Sequence, residues 1–218
     1  MRCIFIILAL ILALPLPQGA QAGAWVREKG EGFLSFSLDI DAEDGADPFF
    51  GVYGEYGIGR GRTLGLELRD DGTGDGKAFV FLRLPVSGED RKLKFAYELG
   101  IGVNQGEAAL RPGFSLGHGL DLGRSKGWVN LDARALLYED YDDALFEGEL
   151  TFGWKPSDKL KLMLQLQAGA PQSGDAYAKI APSIAIRQGK SRHITFGVTA
   201  GIVEVEGGEL NLGLWQKF

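Results

Sequence analysis

The chain has 218 residues, 45% hydrophobic and 24% charged, with 33 glycines, one cysteine and a formal net charge of −6. That acidity argues against a nucleic-acid partner, which needs a basic face. The lone cysteine, Cys3, excludes a disulfide framework, so stability must come from backbone pairing and packing.

Met1-Arg2 is a one-charge start, and an unbroken apolar run follows from Cys3 to Leu14. The stretch PLPQGAQA then brings helix breakers and places small residues at Ala20 and Ala22. This is the pattern of a secretory signal cleaved after Ala22, with residues 1–22 as signal peptide and 23–218 as the mature part. The rival reading is a membrane-spanning helix. A run of this length rises about 18 Å as a helix, short of a hydrocarbon core of about 30 Å. Cys3 precedes the apolar run instead of following it, which also argues against a lipid-modified cysteine.

After the signal, a two-residue period replaces any helical one. Strands are predicted to begin near Gly32, Phe49, Thr63, Ala78, Lys92, Ala109, Gly127, Leu145, Leu160, Tyr177, His193 and Glu209. Each has one apolar face, such as Leu34-Phe36-Leu38-Ile40 or Leu160-Leu162-Leu164-Leu166. No linker divides them, which predicts one domain.

A soluble sandwich would alternate in the same way. The opposite face decides, because it mixes charges with many strand glycines, among them Gly57, Gly65, Gly117 and Gly153. On the wet side of a sandwich those glycines would weaken the sheet for nothing. Inside a narrow closed barrel they make room for larger neighbours, and the apolar face then points to lipid. Closure also removes unpaired strand edges. The fold predicted is therefore all-β: a closed antiparallel up-and-down transmembrane β-barrel of about 12 strands.

The alternation assigns inward Glu55, Glu67, Glu98, Asp132, Glu147 and Glu149 together with Arg83, Lys94, Arg111, Arg134 and Lys161. A tight turn near Tyr141 would set Arg134 opposite Glu149, and Glu98 falls diagonal to Arg111. Such a network either fills the barrel or lines a thin polar channel, with Phe79, Phe81, Trp128, Tyr138 and Trp215 narrowing it. With an even strand count both termini share one side. The loops on the other side, such as DIDAEDGADP and EDYDDA, are strongly acidic, whereas the turns on the terminal side, such as KPSDK and RQGKSRH, are mainly basic.

Catalytic and metal signals are thin. The stretch DDGTGDGKAF offers Asp71, Thr73 and Asp75, but Leu82 stands where a calcium loop needs its bidentate glutamate. The two histidines, His118 and His193, fall at the terminal-side ends of their strands, and Ser115 lies on the opposite face from His118. No catalytic residue, metal ligand or cofactor is expected.

The chain ends GELNLGLWQKF, with Leu210, Leu212, Leu214 and Phe218 in one phase. This resembles the C-terminal signature of bacterial outer-membrane β-barrels, whose last strand ends on an aromatic residue read by the barrel assembly machinery. Gln216 departs from that pattern, which favours an apolar residue there. The stretch AGAWVREKGEGFLSFS is similar to the start of uncharacterised proteobacterial barrels of this size. The resemblance implies a bacterial outer-membrane protein with periplasmic termini, in contact with outer-membrane lipids and lipopolysaccharide. The function expected is passive passage of small hydrophilic solutes by a monomer. A non-conducting surface-interaction barrel with an acidic rim is the alternative, and a lipid-modifying enzyme stands third.

Overall fold

The computed structural model describes residues 23–42, 48–70, 72, 76–88, 91–139 and 144–218. The signal segment with Ala20 and Ala22, the Asp71–Asp75 motif and the turn at Tyr141 lie outside the described residues or are only partly within them. The strands are β1 (Gly32–Asp41), β2 (Phe49–Gly59), β3 (Arg62–Asp70), β4 (Lys77–Pro85), β5 (Leu93–Asn104) and β6 (Glu107–Leu122). They continue as β7 (Ser125–Tyr138), β8 (Ala144–Ser157), β9 (Leu160–Pro171), β10 (Tyr177–Gln188), β11 (Arg192–Val203) and β12 (Gly208–Lys217). Each pairs antiparallel with its sequence neighbours, and β12 returns to β1 to close the barrel.

Closure explains how a sheet with an apolar exterior leaves no unpaired edge. Leu34, Leu38 and Phe36 on β1 stand against Gln216, Leu212 and Leu214 on β12. Leu64, Leu66, Val80, Leu99, Ile101, Phe196 and Leu212 all point outward and are exposed, so the barrel wears an apolar surface far too large for water. Phe50, Tyr56, Phe152 and Trp154 are also exposed on that surface. The inner face carries the core instead: Phe79, Phe81 and Leu136 are among its most deeply buried side chains. Glycines make this packing possible. A Cβ on Gly65 would overlap the Phe81 ring, and one on Gly153 would overlap Trp128.

The last residue is part of the closure. Phe218 N–H donates to the Gly32 carbonyl (3.1 Å) and its own carbonyl accepts from Gly32 N–H (2.7 Å). Its ring lies over Gly32, where any side chain would collide with it. Leu210, Leu212 and Leu214 share the outward face of β12 and are exposed. We expect Phe218→Ala to lower the yield of heat-modifiable barrel in the outer membrane and to leave a protease-sensitive pool. Unchanged membrane levels under ordinary expression would show that the terminal ring is not read during assembly.

Residues 23–31, just before β1, do not lie outside the barrel. Gly30 N–H donates to the Gly57 carbonyl (2.9 Å) and Gly57 N–H to the Glu31 carbonyl (2.9 Å), hooking the segment onto the end of β2. From there it runs backward into the lumen. Arg27 N–H donates to Thr63 Oγ1 (2.7 Å), and Ala24 N–H reaches across to Asn130 Oδ1 on β7 (3.1 Å). Two inner glycines leave the space: a Cβ on Gly57 would overlap the Glu28 carbonyl, and one on Gly117 would press into the Trp25 ring.

Candidate functional site

The site is the lumen, and its walls differ. On β2–β6 the charges form a continuous buried network. Glu55 is held by the Arg27 guanidinium (2.6 Å), by Arg83 and by the Tyr53 hydroxyl, which donates at 2.5 Å. Arg83 also pairs with Glu98 (2.7 Å), and Glu98 with Arg111 (3.2 Å). Arg111 continues to Glu67 (2.6 Å), which Lys77 meets from the far end at 2.7 Å. Arg83 and Arg111 are completely or almost completely buried, and their guanidinium groups stack on Phe81 and Phe79. Buried ions of both signs are tolerable because each finds an opposite charge, and the two arginines also find an aromatic face.

The diagonal Glu98–Arg111 pairing expected from the sequence is thus present, but the Arg134–Glu149 pairing is not. Arg134 stands opposite Glu147, and Glu149 opposite Asp132, a slip of one pair that keeps every side chain on its face. Arg134 instead reaches over Gly113 of β6 toward Glu98 at 3.7 Å. Asp132 and Glu149 are like charges placed side by side, each held by neutral donors. Ser115 and Asn130 donate to Asp132, and Thr151 (3.0 Å) and Gln165 (2.8 Å) donate to Glu149. Lys94 lies partly buried on the inner face of β5, opposite Gly117.

Toward the end remote from the termini, Phe79, Ala109 and Leu136 form an apolar cluster joined by Tyr138 and Leu145. Between this cluster and the 23–31 segment lies a cavity of about 320 Å³, lined by residues that include Tyr53, Glu67, Arg134, Asp132, Glu149 and Gln165. Charged groups of both signs therefore face one shared space. Ser115 donates a hydrogen bond to Asp132, while His118 lies on the other face of β6, so the two make no catalytic pair. Among the described residues no group of three His, Cys, Asp or Glu side chains is placed to hold a metal.

Sequence reasoning did not find the 23–31 segment, because it has no strand period. It also left Lys155 and Arg187 among the turn charges. The alternation of β8 and β10 puts both on the inner face, since Trp154 and Ile186 beside them are exposed.

No protein-family model matches the sequence, and no curated protein matches it. Solved structures do. The KdgM porin superposes with a TM-score of 0.66 at 7% identity, covering 85% of this chain and 99% of that one. The NanC porin gives 0.65 at 8% identity, covering 85% and 100%. An outer membrane channel from Pseudomonas putida F1 gives 0.58 at 13% identity, covering 92% and 100%. At these identities the likeness is one of fold: the chain is a β-barrel of the outer-membrane type.

Proposed function

We propose that the protein is a monomeric outer-membrane barrel providing a narrow, charged path for small hydrophilic solutes. The observation that carries this reading is the cavity, whose lining includes ions of both signs, inside a barrel whose exterior is apolar. Such a lumen is costly to keep unless water or a polar solute uses it. The name of each porin or channel that shares the fold supports the same reading. The end holding Gly32 and Phe218 is assigned to the periplasm, and the acidic loops to the lipopolysaccharide side. Cleavage after Ala22 would make residues 23–31 the mature N-terminus, seated in the lumen. That position favours a second reading, a closed barrel that serves at the cell surface through its acidic rim.

Liposome swelling separates the two. Vesicles carrying the refolded barrel should admit small sugars faster than empty vesicles and exclude large oligosaccharides. Swelling no faster than in empty vesicles would support the closed barrel. For orientation, Gln172→Cys should react with an impermeant maleimide on intact cells, whereas Ser157→Cys should not.

A further inference from the structure

The wall formed by β8–β12 near the terminal end is unlike the rest of the lumen. Its inward positions there carry Lys155, Lys161, Arg187, His193 and Lys217, and no carboxylate. The register brings them together. Arg187 stands opposite His193, and His193 opposite Trp215, with Lys217 one inward position further along β12. Lys161 stands opposite Ala185, one inward position from Arg187. Its ammonium lies 5.5 Å from the centre of the Trp215 ring, which also has the His193 imidazole at 6.2 Å and the Phe33 ring at 6.0 Å. Lys155 lies 5.2 Å from the Trp128 ring.

Two facts mark this corner as unfinished. Among the described residues neither the three lysines nor Arg187 makes an ion pair, whereas the glutamates of the β2–β6 wall are saturated with arginine and lysine. Lys161 is 8% exposed and His193 7%, and the buried His193 Nδ1 has no hydrogen-bond partner. A buried ammonium facing only an aromatic ring and other cations is poorly stabilised, and an unpartnered ring nitrogen adds to the cost. Both deficits are met by the same object, a group with negative oxygens.

We propose that this corner binds the oxyanion group, carboxylate or phosphate, of a small solute. Lys161 supplies the charge, His193 Nδ1–H donates a hydrogen bond in the matching tautomer, and Lys217 and Arg187 close the ring. Trp215 provides a flat apolar side against which the carbon part of the solute can lie. This deepens the channel reading by naming a solute class. It also places the site at the terminal end, away from the paired network that fixes the opposite wall.

The two histidines give a direct test, because His118 sits on the other face of the sheet and reports non-specific effects. The refolded barrel, labelled at histidine, is placed in octyl glucoside, a detergent without phosphate, at constant ionic strength set with chloride. Inorganic phosphate and acetate are then titrated separately. The His193 imidazole resonances should move and saturate with at least one of them, while those of His118 stay put. Lys161→Gln should weaken binding about tenfold, the loss expected for one charge-assisted contact. Arg187→Gln tests the same ring should the first variant fold poorly, and Arg60→Gln, in the exposed turn between β2 and β3, should change nothing. A drift equal at both histidines, or binding indifferent to both ring variants, overturns the proposal. So does a His193 response that appears only with phospholipid vesicles, which would make the partner a lipid headgroup. Binding is read without conduction, so its failure is separate from a failure of solute passage.

Discussion

Arg83→Ala is expected to lower the stability of the barrel by roughly 3–5 kcal/mol, the usual cost of stranding a buried charge. Arg83 is fully buried and bonded to both Glu55 and Glu98. Its removal leaves Glu55 with Arg27 and Tyr53, and Glu98 with Arg111 and the more distant Arg134. Each carboxylate then loses its nearest cation in a place water reaches poorly. Urea titration followed by heat-modifiable mobility should show the midpoint falling sharply. Glu98→Ala in the same background should restore part of the loss, because it removes one stranded charge. Lys179 and Glu209 provide the contrast: they pair at 3.2 Å but are each about a quarter exposed, so Lys179→Ala should cost about 0–1 kcal/mol. If Arg83→Ala and Lys179→Ala cost the same, water screens the network and the lumen is wetter than its packing implies.

That contrast also shows what a sequence can reveal about a barrel. Strand starts were legible to within two residues, as at Phe49, Leu160 and Tyr177, because bilayer and lumen impose opposite polarity on alternate residues over long stretches. The same physics fixes which face Glu98, Arg111 or Phe81 occupies. It does not fix register. Sliding β8 by two residues against β7 leaves every side chain on its own face, so alternation could not tell Glu147 from Glu149 as the neighbour of Arg134. Residues 23–31 were illegible for a different reason: beyond the hook of Gly30 and Glu31 onto Gly57 they follow no strand, and they are held by scattered contacts to Thr63, Glu55 and Asn130. Their trace in the sequence is indirect, in the glycines at 57 and 117. Those positions read as general lumen space until Glu28 and Trp25 are seen to fill them.

The segment leads to the largest expected change in function. A barrel refolded from a chain beginning at Gly30 should conduct several-fold more current in planar bilayers than one beginning at Gly23. Arg27, Trp25 and Ala24 occupy cross-section between β2–β3 and β6–β7, and conductance follows the area open to ions. Their loss should not unfold the barrel, because Glu55 keeps Arg83 and Tyr53, and β1 still closes on β12. A less drastic change should act in the same direction. Gly117→Leu puts a side chain where the Trp25 ring lies, so it should raise conductance or produce flickering as the segment leaves and returns. Arg27→Ala should also loosen the segment, by removing its ion pair with Glu55, while the Arg27 backbone bond to Thr63 persists. The expected order is truncation first, Gly117→Leu next and Arg27→Ala last. If all three match the parent chain, the restriction lies elsewhere, and the apolar cluster of Phe79, Leu136 and Tyr138 is the remaining barrier along the lumen.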